Sequence, residues 1–238
     1  QWRGATFEKD NKVIYRPVPR DRDQAFSVFS DGFLMNTITS IIPALKGMRS
    51  YEEDIKNPAH FSLSAYPLDM RLIRESNKAD WDREVQIIQN QITDEVIESA
   101  FSKFPKEVRG NTIDDIKRKL KGRRKNLQKI SDKYFSHLNK FQVVTGTHKD
   151  DWFEINRFVN GDTEIIGYRI KDGKKADILL NRRYKYDITK EIWIYGLDDD
   201  DVFKLTGSNG TNAIKLKIIG GLDNDTYNIA NEKDVKVY

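Results

Sequence analysis

At 238 residues, 38% of them hydrophobic, the chain is long enough to bury a core in one large domain or two small ones, which sets it apart from disordered and fibrous sequences. Its 41 basic and 37 acidic residues nearly cancel to a net charge of +4, a balance that does not call for a nucleic-acid partner. The absence of cysteine excludes disulfides and thiolate metal sites, and three scattered histidines, His60, His137 and His148, argue against zinc, so that a metal here would be held by oxygen.

No run of 18 apolar residues occurs, which argues against direct membrane insertion, and the opening "QWRGATFEKD" lacks the basic-then-apolar pattern of a signal peptide. With no initiating Met, the sequence reads as a piece of a longer polypeptide, whose neighbouring domains are its expected partners. The first element is a hairpin: "WRGATFEKDNKVIYRPV" alternates apolar and polar residues on either side of Lys9–Asp10–Asn11. It runs into "YRPVPRDRDQAF", where an extended segment turns at Pro19 and can project Asp21 and Asp23 to one side and Arg20 and Arg22 to the other. Two carboxylates at a strand end make a half-site for Mg²⁺ completed by phosphate oxygens and water. The competing reading is an Asp–Arg network that anchors the hairpin.

From about Gly32 to Phe141 the apolar period is helical. Trp81, Val85, Ile88 and Ile92 fall on one face, Thr93 is placed to cap "DEVIESAFSKF", and a longer helix starting at Thr112 carries Ile113, Ile116, Leu120, Leu127, Ile130, Tyr134 and Leu138 on one stripe. The basic run Lys117–Lys129 reads either as a surface for anions or as the solvated face of that helix; no aromatic residues interleave it as stacking platforms. After Phe141, β-branched and aromatic residues alternate between turns at "NGD", "KDGKK", "GLDDDD", "GSNGTN" and "GGLDND".

Two of these turns are copies of each other. Gly196, Leu197, Asp198 and Asp200 in "YGLDDDDVF" match Gly221, Leu222, Asp223 and Asp225 in "GGLDNDTYN", as neighbouring coils of a small solenoid or stacked hairpins would. Asp198, Asp200, Asp223 and Asp225 are candidate Ca²⁺ ligands, since Asp198–Asp201 are four consecutive carboxylates whose repulsion a hard cation relieves; aspartate is equally a turn former that bonds its own backbone. Both copies resemble the nonapeptide of haemolysin-type calcium-binding repeats. They depart from it at Asp198 and Asp223, where the repeat has a turn glycine, and at Tyr195, where it has its first glycine.

Other resemblances rest on longer segments. "YRPVPRDRDQAF" looks like the metal-binding segment of atypical kinase folds of the spore-coat protein H and HipA-like kind, which implies Asp23 as the metal-binding aspartate, Asp21 as its assistant and Phe26 packed behind. On that reading Arg20, Arg22 or His148 lies near the phosphates of a Mg²⁺-bound nucleotide, while the general base belongs to a segment ahead of Gln1. No glycine-rich phosphate loop and no lysine–glutamate pair in kinase order are identifiable here. The same opening, with "PLDMRLI", "VVTGTHKDDWFEI", "IWIYGLDDDDVF" and "IIGGLDNDTYNI", is similar to the middle region of large bacterial cell-envelope proteins, in which a calcineurin-like metallophosphoesterase domain often precedes and an outer-membrane β-barrel often follows. This resemblance implies a location on the periplasmic side of the outer membrane. A di-metal phosphoesterase within this chain is disfavoured by its few histidines.

The expected architecture is α+β: residues 1–141 form a hairpin plus a helical domain, kinase C-lobe-like by resemblance, and residues 142–238 form an all-β part with two Gly-Leu-Asp turns. The expected role is a noncatalytic connecting module of an envelope protein that binds Ca²⁺ at its acidic turns or uses them only as turns; the alternative is the C-terminal part of a kinase-like domain that binds Mg²⁺ and a nucleotide.

Overall fold

The computed structural model describes residues 2–9, 12–19, 50–73, 76–207 and 212–238, with single positions at 25, 26, 28, 32, 37, 42 and 210. The chain is α+β, with an N-terminal hairpin, a helical middle and a strand-rich C-terminal region, and it divides into two compact units, Gln1–Tyr134 and Phe135–Tyr238. Arg20, Asp21, Arg22 and Asp23 lie outside the described residues.

In the first unit, β1 (Trp2–Lys9) pairs antiparallel with β2 (Lys12–Pro19), from Trp2↔Pro19 to Lys9↔Lys12. The helices are α1 (Pro58–Phe61), α2 (Tyr66–Leu72), α3 (Lys78–Gln91), α4 (Asp94–Phe101) and α5 (Asn111–Asn139), whose last turn belongs to the second unit. Local chemistry fixes two of the helix starts. Asn77 Oδ1 accepts from the Asp80 amide at 3.0 Å while Asp80 Oδ2 accepts from the Asn77 amide at 3.1 Å, a reciprocal capping box that begins α3. Thr93 Oγ1 accepts from the Val96 amide at 3.3 Å and begins α4, as the sequence leads one to expect; such a cap is worth about 1 kcal/mol. Gln89 Nε2 donates to the Arg124 carbonyl at 2.8 Å and Gln128 Nε2 to Asp82 at 2.6 Å, which ties α3 to α5.

The basic run on α5 is a paired surface. Lys117 and Lys121 reach Glu98 at 3.0 and 2.7 Å, Arg124 reaches Asp94 at 2.7 Å, and Lys129 reaches Asp54 at 2.8 Å. Both lysines donate to Glu98 and hold its carboxyl below the usual glutamate range. Exposed pairs of this kind add little stability, but they neutralise much of the charge that the run carries in sequence.

The second unit is a parallel β-roll. Strands β3 (Phe141–Thr145), β7 (Glu191–Leu197), β9 (Lys215–Gly221) and β11 (Val235–Val237) form one all-parallel sheet in the order β11-β9-β7-β3. The second sheet has the order β10-β8-β4-β5-β6. In it β4 (Asp151–Arg157), β8 (Val202–Gly207) and β10 (Thr226–Ile229) are parallel, and β5 (Thr163–Lys171) and β6 (Lys174–Tyr184) add an antiparallel hairpin. Each coil therefore lays one strand in the first sheet, passes through an acidic turn and lays the next strand in the second. The coils are β3–β4, β7–β8 and β9–β10, and β11 begins another.

Strict alternation builds the core between the sheets. Phe153 and Ile155 of β4, Ile192 and Ile194 of β7, Phe203 and Leu205 of β8, and Leu216 and Ile218 of β9 are all buried to 1% exposure or less. Each such side chain contributes about 1.5–3 kcal/mol relative to leaving it exposed. Phe153, Phe203 and Tyr227 stack face to face along the coils at 5.1 and 5.3 Å. The inserted hairpin turns at Asp172 and Gly173, both with positive φ (51° and 70°), so "KDGK" makes the two-residue turn that suits the twist of paired strands.

Candidate functional site: the acidic turn ladder

The strand register decides which turn residues are equivalent. Leu197 pairs with Gly221 and Val202 with Thr226, an offset of 24, so Asp199 and Asp201 correspond to Asp223 and Asp225. The sequence match had set Asp198 against Asp223 and Asp200 against Asp225. The one-residue difference has a physical cause: with an offset of 25, one coil's inward Ile194 and Phe203 would lie beside outward-facing side chains of the next, and the core could not be continuous. A third copy precedes these two. Thr145 pairs with Tyr195 and Trp152 with Val202, an offset of 50, which aligns Gly146 and Asp151 with Gly196 and Asp201. The shared signature of the three turns is therefore a glycine five residues before an aspartate: Gly146 and Asp151, Gly196 and Asp201, Gly220 and Asp225.

The geometry explains that spacing. A Cβ on Gly146 would sit 2.8 Å from Asp151 Oδ2 and 2.7 Å from the Gly196 carbonyl oxygen; one on Gly196 would overlap Asp201 Oδ2, and one on Gly220 would overlap Asp225 Oδ2. In each turn the aspartate carboxyl folds back over the glycine, and only hydrogen on that α-carbon leaves room.

The carboxyls are engaged by the backbone of the neighbouring coil. The Asp151 amide donates to Asp201 Oδ1 at 2.8 Å, and the Asp201 amide donates to Asp225 Oδ1 at 3.1 Å. One residue earlier the direction reverses: the Asp200 amide donates to Asp150 Oδ1 at 3.3 Å, and the Asn224 amide to Asp200 Oδ1 at 3.0 Å. Adjacent turns are thus stitched both ways, and turn amides that the sheets leave free find partners. His148 Nδ1 lies 2.6 Å from Asp198 Oδ2, so the histidine considered for nucleotide phosphates and the first aspartate considered for Ca²⁺ meet each other at the outer edge of the ladder. Asp223 stands exposed in the last turn with a left-handed φ of 74°.

Electrostatics single out one rung. Asp151 and Asp201 are 0% and 1% exposed. Asp151 has a counter-ion, Arg169, whose Nη1 is 3.1 Å from Oδ1, and it accepts from the Thr147 amide at 2.6 Å. Asp201 Oδ2 has no hydrogen-bond partner among the described residues. Burial, followed by the charges of Asp151, Asp225 and Asp150, pushes the Asp201 carboxyl up to about 7, against the lowering effect of the Asp151 amide. Asp201 is therefore a carboxyl that the fold keeps protonated well into the range where ordinary aspartates are ionised. Among the described residues, no group of three or more His, Asp or Glu side chains is arranged to hold a metal ion.

The sequence did carry signals for what it missed. Asp151 and Asp201 share inward parity with Phe153 and Phe203, which marks them as the buried members of their acidic runs. No protein-family model matches this chain, and no curated protein or solved structure matches it either.

Proposed function

We propose that this chain is a noncatalytic structural and connecting module of a multidomain bacterial cell-envelope protein, placed on the periplasmic side of the outer membrane and partnered by the neighbouring domains of its own polypeptide. The observation that carries the reading is the occupancy of the ladder. Asp150, Asp200, Asp201 and Asp225 accept backbone amides of adjacent turns, and Asp198 meets His148, so the acidic residues hold one coil to the next. Among the described residues β10 and β11 are each paired on one side only, which leaves parallel edges suited to stacking a further coil. The envelope location rests on the similarity of the opening segment and the glycine–aspartate turns to that protein class. No helix among the described residues is long and apolar enough to cross a membrane.

The kinase-like alternative rests on Asp21 and Asp23, and titration separates the two. Isothermal titration of the 238-residue chain with Mg²⁺–ATP, and separately with Ca²⁺, is expected to give no binding heat, and Asp23→Asn is expected to behave as wild type. Binding of Mg²⁺–ATP that Asp23→Asn removes would replace the module reading with a nucleotide site at "RDRD". Heat with Ca²⁺ that is lost in Asp200→Asn and Asp225→Asn would make the ladder a cation site.

A further inference from the structure

In the first unit, α3 and α5 face each other across a cavity of about 590 Å³, within the roughly 300–1,000 Å³ range of small-molecule sites. Trp81, Val85 and Ile88 line it from α3, and Leu127, Ile130 and Tyr134 from α5. These are the two apolar stripes that the helical period marks as core, so the helices present matched apolar faces and yet leave space between them. Polar residues reach the wall as well, the serines Ser62, Ser76 and Ser131 among them. The Tyr134 hydroxyl donates to Asp69 at 2.5 Å, and Asp80 is held by its capping bonds and by Arg83 at 3.0 Å. Ser131 differs from both: it is 8% exposed, it lines the cavity, and its Oγ has no hydrogen-bond partner among the described residues. A buried hydroxyl in that state is destabilising, and a ligand that supplies its partner relieves the penalty. The charged wall residues are Asp80, Glu84 and Arg83, and the Arg83 guanidinium is engaged by Asp80 at 3.0 Å and by Glu84 at 3.9 Å, so no described wall cation is left over for a carboxylate head group.

We propose that this cavity is a binding site for an uncharged amphiphile, with an aliphatic or aromatic body between Trp81, Ile88, Leu127 and Ile130 and a single hydroxyl or carbonyl head bonded to Ser131 Oγ. The site is independent of the ladder, and it gives the helical unit a role that the connecting function does not.

The test uses the full 238-residue chain and N-phenyl-1-naphthylamine, an uncharged dye that fluoresces on entering an apolar site. Saturable one-to-one enhancement is expected, reversed by 1-dodecanol at concentrations about 10-fold lower than by dodecanoate, since each tenfold reflects about 1.4 kcal/mol of discrimination. Ile88→Trp fills the cavity from a half-exposed position and is expected to weaken the dye about 10-fold or more with an unchanged circular-dichroism spectrum. Leu127→Phe serves the same purpose if Ile88→Trp does not fold. Ser131→Ala is expected to weaken 1-dodecanol about 3- to 10-fold, the loss of one hydrogen bond. Absence of saturable enhancement, or wild-type dye binding by a folded filling variant, overturns the proposal and shows the cavity closed or the dye elsewhere. Equal displacement by dodecanoate, or no effect of Ser131→Ala, overturns the uncharged, Ser131-bonded head.

Discussion

Asp201 gives the β-roll an inverted acid response. Its carboxyl is 1% exposed, faces Asp150, Asp151 and Asp225, and is pushed up to about 7, whereas in the unfolded chain an aspartate titrates near 3.9. The raised value fixes the sign. The folded state holds a proton that the unfolded state releases above pH 4, so the contribution is fully present below pH 4 and is lost as the pH rises towards 7. Over that window of about 3 units, at about 1.4 kcal/mol per unit, the loss is about 4 kcal/mol. Carboxyls held low by hydrogen bonds, such as Asp162, which accepts from the Tyr186 amide and then from Asn160 and Arg183, and Glu191, which accepts from Trp193 and then from Lys217, respond in the opposite sense, so a difference measurement is required. Asp201→Asn keeps the shape and the Oδ1 acceptor and cannot ionise. Urea unfolding of wild type and Asp201→Asn from pH 4 to pH 8 should give a stability difference that moves in favour of the variant by about 4 kcal/mol between pH 4 and pH 7 and levels off above that. A difference that stays flat across the range would refute the claim that Asp201 is buried as the acid.

Two further substitutions test the roll. Gly196→Ala puts a Cβ onto Asp201 Oδ2 and the Gly220 carbonyl at an ordinary φ, and should destabilise the second unit by about 3 kcal/mol or more, whereas Gly110→Ala, with open space around it, should not; thermal unfolding of the three proteins distinguishes these outcomes. Arg157, 4% exposed, donates to the Ile214 carbonyl at 2.9 Å and to the Lys233 carbonyl, so Arg157→Met should lower stability by about 2–3 kcal/mol and raise amide exchange around Ile214 and Lys233.

Much of the fold is legible in the sequence, because local rules and tertiary packing agree there. The "KDGK" turn and the Thr93 cap appear where propensity places them, and of the stripe Trp81–Val85–Ile88–Ile92 the first three residues share one face of α3, whereas Ile92 follows the end of the helix and is exposed. The turn register is not legible from the Gly-Leu-Asp match, because that motif ignores side-chain parity, and parity of Ile194 and Phe203 is what the core reads. The third turn is hidden by the β5–β6 hairpin, which stretches the repeat to 50 residues between the first and second coils. In Asp198–Asp201 all four carboxyls look alike until burial separates the last from the others. Asp21 and Asp23, prominent in the sequence, lie outside the described residues, so their test is the nucleotide titration.

The acidic ladder is closed by backbone amides and a proton rather than by a cation. The most direct measurement is the titration of the Asp201 carboxyl by carbon-detected NMR on labelled protein, with and without millimolar Ca²⁺. The ladder predicts a midpoint near 7 that Ca²⁺ leaves in place. A midpoint near 4, or one that Ca²⁺ drives downward, would contradict it.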